Sequence, residues 1–337
     1  MQNYLIFLLQ ILTVVIVVTL SILALVGGIV AIVTKVKIKP KEKIEITNLN
    51  DKYQELKSTL QYEILSKSEL KQLAQNQKET AKIEKKQTKH NPPQPRQRIF
   101  VLNFCGDLRA TEATNLREEI TALLTVATTK DEVLVKIEST GGTIHDYGFA
   151  ASQLERIRSR SIPLTAAVDK VAASGGYMMA CVADKIIAAP FAIIGSIGVI
   201  AQLPNFNRLL KKHDIDFEQI MAGEYKRTLT LFGENTSKDR KKMQEEVNEA
   251  HSLFKKFVIT HRPNVNIDNI ATGEYWYGVR AQELRLIDEI MTSDDYLLNM
   301  SAKANLYVVT YSTKKNFLKK LGSLMQKAFA QVGNHFH

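Results

Sequence analysis

The chain has 337 residues, long enough for one large domain or two modest ones with appendages, and its 45 Lys and Arg exceed its 35 Asp and Glu for a formal net charge of +10. That excess is not on the stretch with globular texture: residues 35–98 hold sixteen Lys/Arg against eight Asp/Glu and residues 313–337 hold five against none, while residues 99–312 hold 24 against 27. A nucleic-acid groove needs a basic patch on the fold itself, so that partner is excluded, and two cysteines, Cys105 and Cys181, exclude a disulfide framework and a CxxC metal site.

Tyr4 to Val33 carries no charge. As a helix its thirty residues would reach about 45 Å, more than the roughly 30 Å of a bilayer core. Lys35, Lys37, Lys39, Lys41 and Lys43 follow at once, as a stop-transfer flank does, so residues 1–34 are expected to be a retained transmembrane anchor and not a cleaved signal peptide. Residues 35–98 read as a basic linker or helical stalk. Leu49, Tyr53, Leu56, Leu60 and Ile64 recur near helical spacing, and "NPPQPRQR" closes the segment. The bland reading of this stretch is a solvated spacer.

From Ile99 short apolar runs alternate with amphipathic segments. "RIFVLNF", "DEVLVKIES" and "IPLTAAVD" predict strands, with helices over "EATNLREEITALLTVA" and "DYGFAASQLERIRSR" between them. A helix start at Ser174 follows, then strands over "DKIIAAP" and "IIGSIGVIAQ". This alternation predicts an α/β domain with parallel pairing over residues 99–300. Residues 301–337 form a basic tail in which Phe317, Leu318, Leu321, Leu324, Met325, Ala328 and Phe329 share one helical face, suited to a membrane surface or to packing on protein. Both cysteines are read as buried small hydrophobes.

Ser174 in "DKVAASGGYMMACVADK" is the candidate nucleophile. Ala172, Ala173, Gly175 and Gly176 would let a substrate backbone approach, and a helix starting there would aim amide N–H groups at the hydroxyl. A second small-residue turn, "ESTGGT", ends the strand "VLVKI". There the amide of Gly141 or Gly142 would point into the crevice at the strand's carboxyl end, where it suits an oxyanion. Either glycine pair could equally serve tight packing or a plain turn. A base is harder to find. Six of the seven histidines lie in tails or polar stretches, His145 sits at a helix start, and Lys226 lies in the Gly-containing loop "AGEYKRTLTLFGEN".

Together, "DKVAASGGYMMACVADKIIAAPFAIIGSIGVIAQLPNFNRLL", "GEYKRTLTLFGENT" and "ATGEYWYGVRAQELRLIDEI" resemble the signal peptide peptidase A family, with motif order kept from about Ile99 to about Asp295. The resemblance implies a serine endopeptidase with a Ser-Lys dyad on a ClpP/crotonase-like fold, with Ser174 as nucleophile and Lys226 as general base. It implies Ser196 in "GSIGV" as a hydroxyl orienting the lysine and Gly142 as the oxyanion glycine. Gly175 joins them beside the nucleophile. Thr140 stands where the family's turn has proline, which removes a fixed φ from that turn. No metal or cofactor is implied. Expected partners are peptide or unfolded-protein substrates such as signal-peptide remnants, the membrane, and further copies of the chain in a homo-oligomer.

A lysine base must be neutral, and a solvated one with its usual pKa of about 10.4 is almost wholly charged at pH 7. Burial against Leu229, Leu231 and Phe232 is therefore expected, with activity rising with pH. Two other readings compete: a non-catalytic membrane scaffold, and a crotonase-type acyl-CoA enzyme that would need neither Ser174 nor Lys226. The location expected is the bacterial inner membrane. The lysine flank places the domain in the cytoplasm, the resemblance places it outside, and the side stays open.

Overall fold

Ile99 to Phe104 is apolar at five of six positions, as a strand buried on both faces must be. In the computed structural model, which describes residues 12–14, 16–19, 21, 42–90 and 96–313, this run forms the middle of β2 (Gln97–Gly106). Ile99 and Val101 point to one face, Phe100, Leu102 and Phe104 to the other, and each is buried.

The chain divides into two units, Ile44–Ser312 and a second comprising Met1–Lys43 and Thr313–His337. The first is a mixed α/β fold around a ten-stranded sheet. Its strands are β1 (Glu42–Asn48), β2, β3 (Glu132–Ser139), β4 (Leu164–Val168), β5 (Val171–Ala173), β6 (Lys185–Ala188), β7 (Ile193–Gly195), β8 (Tyr275–Tyr277), β9 (Glu289–Ile290) and β10 (Ala304–Thr313). The main path runs β1-β10-β2-β3-β4-β6-β9, and β5, β7 and β8 branch from β3. The pairs from β10 to β9 are parallel. In the branch only β7 with β8 is antiparallel.

The helices cover both faces. They are α1 (Leu49–Ile64), α2 (Lys67–His90), α3 (Ala113–Leu123), α4 (Ile144–Arg158), α5 (Gly175–Ala180), α6 (Asn207–Lys212), α7 (Ser237–His261), α8 (Ile267–Ile270), α9 (Gly278–Glu283) and α10 (Ser293–Ser301). The larger core lies under α3, α4, α5 and α7, with Leu116, Leu154, Met179 and Val258 packed on the sheet. A smaller core on the other face joins Leu49 of α1 and Leu297 of α10 to Leu134 and Ile187. Burying both faces is the condition under which a parallel sheet is stable.

Two expected boundaries shift. The linker of residues 35–98 contributes β1 and α1 to this unit, because Leu49 is buried and Asn50 Nδ2 donates to the carbonyls of Ser301 and Ala304. Residues 304–313, expected in the tail, are a strand paired with β2. The stripe Leu56, Leu60 and Ile64 stays exposed and lines an open groove with Leu73 and Leu298. Cys181 is buried as expected, but Cys105 is exposed, because the β2 alternation turns it outward beside Phe104.

Of the expected anchor only residues 12–14, 16–19 and 21 are described; they are helical and exposed. The remainder of residues 1–34 and the amphipathic face from Phe317 to Phe329 lie outside the described residues. No helix among the described residues is long and apolar enough to cross a membrane.

Candidate active site

β3 changes neighbours near its end. Val133 to Lys136 pair with β4, and Ser139 pairs with Ala172 of β5. The split brings the turn after β3 beside the end of β5, at the carboxyl ends of parallel strands where α/β sheets hold ligands.

Ser174 is the N-cap of α5 and has φ 51° and ψ −119°. A non-glycine residue held there costs on the order of 1–3 kcal/mol and persists only when its surroundings fix it. Here they do: the Ser174 N–H donates to the Gly195 carbonyl at 2.7 Å, and the Ser174 carbonyl accepts from Met178 N–H at 2.9 Å. The side chain is half-buried and makes no hydrogen bond among the described residues.

The turn of residues 140–143 lies against it. Gly141 has φ 89°, and a Cβ there would stand 2.7 Å from both the Gly175 nitrogen and the Ser174 Cβ, so only glycine fits. Sequence left open which glycine amide is free. The Gly141 N–H donates to Ser139 Oγ at 3.0 Å, whereas neither Gly142 nor Gly175 has an acceptor for its amide among the described residues. Gly175 opens α5, where the first amides have no intrahelical partner. A cleft of about 200 Å³ runs past both amides and Ser174, walled by Ile144, Met178, Ile200 and Phe254. These walls are apolar. The arrangement can hold an apolar side chain while a carbonyl next to it faces a hydroxyl and two unpaired N–H donors.

The other expected residues stand apart. Ser196 follows Gly195 at the end of β7, with φ 52° and its N–H on the Glu274 carbonyl at 2.6 Å. Its hydroxyl has no partner among the described residues, and it does not line the cleft. His145 is exposed and also outside the cleft. Lys226 lies in residues 196–236, where α6 is the only regular element. Its backbone N–H donates to Gly223 at 3.1 Å and its side chain is exposed. The expected cover is missing, since Leu231 and Phe232 are themselves 36% and 40% exposed. The chain by itself therefore brings Ser174, Gly142 and Gly175 together but not Lys226.

Sequence reading missed Ser139 and Tyr147. Tyr147 is fully buried in α4, its ring so close to Gly175 that a Cβ there would lie 2.3 Å from it. "IHDYG" announces a helix start, but no local pattern says that its tyrosine passes beneath a glycine 28 positions later.

Two family models match: peptidase family S49 over residues 156–307, and its N-terminal region over residues 1–154. The probable protease SohB of Haemophilus influenzae is 49% identical over 98% of this chain and 95% of its own. The probable protease SohB of Buchnera aphidicola subsp. Acyrthosiphon pisum is 54% identical over 67% of each chain. The putative signal peptide peptidase SppA of Enterococcus faecium is 30% identical over 55% of this chain and 54% of its own. With agreement spanning nearly the whole chain, this protein belongs to peptidase family S49.

Proposed function

We propose that the chain is a membrane-anchored serine endopeptidase of the bacterial inner membrane, with a Ser174–Lys226 dyad on a ClpP/crotonase-like fold. The observation that carries this reading is Ser174 itself. A strained, half-buried serine faces an apolar cleft beside two amides that have no acceptor among the described residues. Strain of this kind is kept where geometry matters to function.

Ser174 Oγ attacks the peptide carbonyl while Lys226 Nζ takes its proton. The carbonyl oxygen, now negative, accepts from Gly142 and Gly175 N–H, and one such donor contributes about 3–4 kcal/mol to the transition state. Lys226 then gives the proton to the leaving amine, and water releases the acyl group by the reverse roles. The apolar walls favour substrates with apolar side chains, in keeping with signal-peptide remnants or misfolded proteins.

Lys226 can act as a base only out of water. Residues 196–236 expose Ile200, Phe206, Phe217 and Ile220 as well as the lysine, and an exposed apolar surface of that kind favours association. Assembly into a homo-oligomer covers this loop and completes the dyad. Tyr4–Val33 anchors the assembly in the membrane.

The test is cleavage of unfolded casein by the detergent-solubilised full chain, with Ser174→Ala and Lys226→Ala beside it. Cleavage lost in both variants, with oligomer size and melting temperature kept, is the expected result. Equal cleavage by all three would overturn the dyad, and three inert proteins would favour a non-catalytic membrane scaffold.

A further inference from the structure

The turn carrying Gly142 lacks the rigidity a proline at position 140 would give, and Thr140 is exposed. Something else must hold it. Gly141 N–H donates to Ser139 Oγ at 3.0 Å, Ser139 Oγ lies 2.5 Å from Tyr147 Oη, and Tyr147 Oη–H donates to the Asp107 carbonyl at 2.7 Å. The directions are forced. Tyr147 spends its proton on Asp107, so the Ser139 hydroxyl must donate to Tyr147 and keeps a lone pair for Gly141. Ser139 is 2% exposed and Tyr147 is fully buried, so the Gly141–Ser139 and Ser139–Tyr147 links are shielded from water, and only the Asp107 end of the chain is part-buried. Burial also raises the Tyr147 phenol above its ordinary pKa and keeps it a donor. The same tyrosine ring lies against Gly175. One side chain therefore touches the supports of both amides that face the cleft.

Resting on the serine-peptidase reading above, we propose that Ser139 and Tyr147 are positioning residues that set the separation and aim of the Gly142 and Gly175 amides, doing by side-chain hydrogen bonds what a proline would do through its fixed φ. A donor displaced by a fraction of an ångström stabilises the oxyanion less while leaving substrate contacts in the apolar cleft unchanged. The signature is thus a fall in kcat at constant KM.

The experiment uses the full chain in detergent and a chromogenic peptide substrate. Wild type is compared with Ser139→Ala, Tyr147→Phe, their double variant, Ser174→Ala, and Tyr296→Phe, which removes another inward-facing hydroxyl, bonded to Glu132, at the smaller core. Tyr147→Phe keeps the ring and its packing, so it folds even where Ser139→Ala is weakened. Ser139→Ala and Tyr147→Phe are expected to lower kcat by about tenfold to a hundredfold with KM within about twofold. The double variant falls no further than the worse single, because one chain of bonds is broken either way. Affinity for a peptide aldehyde, which forms the oxyanion, drops with kcat, and affinity for the matching unreactive peptide amide does not. Tyr296→Phe leaves kcat unchanged. Full kcat in both Ser139→Ala and Tyr147→Phe, with Ser174→Ala inert, would overturn the positioning role alone. Full activity in Ser174→Ala would overturn the underlying peptidase reading instead.

Discussion

The two halves of the proposed dyad sit in unlike surroundings. Around Ser174, from β5 through α5, the backbone is buried and hydrogen-bonded, and the serine is held in a conformation it would not adopt alone. Around Lys226 the chain runs mostly without regular structure, with aliphatic and aromatic side chains in solvent. The fold of the single chain brings Ser174 together with the Gly142 and Gly175 amides. It leaves the proposed base, Lys226, exposed, and the difference teaches that a proposed site of this kind can be half built in the protomer.

The largest effects should separate the halves cleanly. Ser174→Ala and Lys226→Ala are each expected to lower kcat by at least about a thousandfold. Lys226→Ala should leave the melting temperature of the protomer unchanged, since its side chain is exposed and makes no hydrogen bond or ion pair among the described residues. Ser174→Gly should abolish activity and yet raise stability by about 1 kcal/mol, because glycine relieves the strain at φ 51°. Calorimetry beside an activity assay reads both.

A pair of glycines sharpens the comparison at the next level. Gly141→Ala adds a Cβ into backbone at 2.7 Å with φ 89° and should cost several kcal/mol and nearly all activity. Gly223→Ala, three residues before Lys226, also has positive φ (94°), but its Cβ would meet nothing within 4 Å. It should cost about 1 kcal/mol, confined to the loop. Equal losses in denaturation midpoint would mean that the two regions are equally rigid.

An effect that appears only as pH changes belongs to the rigid side. Glu119 on α3 is buried, with Oε1 accepting from Tyr311 N–H and Oε2 unpartnered among the described residues, and desolvation pushes its carboxyl up to about 7. Between the ordinary glutamate value near 4.3 and about 7, the unfolded chain loses this proton while the folded chain holds it. Stability therefore falls as pH rises through that window and levels off above it. Glu119→Gln should remove the fall, gaining on the order of 2–3 kcal/mol more over wild type at pH 8 than at pH 5 in urea denaturation. A constant difference across that range would contradict it.

Much of the fold was legible because burial imposes pattern. β2, β3, β4 and β6 announce themselves as apolar runs, and α3 and α4 as amphipathic segments between them. β1 and β10 were hidden. The first is an edge strand in charge-rich sequence, where little apolar sequence is needed, and the second, though paired on both sides, was judged with the basic tail that follows it. Ser174 stood out by its small neighbours. The choice between Gly141 and Gly142 did not, since only the third dimension shows the first amide spent on Ser139. The expectation that Leu231 and Phe232 would bury Lys226 failed for a related reason: apolar residues next to a lysine in sequence cover it only when something packs over them all.

The most direct test of the account is acid-quenched peptide mapping of the full chain during turnover of an activated peptide ester, across dilutions that span assembled and dissociated protein. The account predicts one acyl group, on the peptide containing Ser174, formed by the assembled protein and lost on dissociation or in Lys226→Ala. Acylation of another residue, or undiminished acylation of Ser174 in Lys226→Ala, would contradict it.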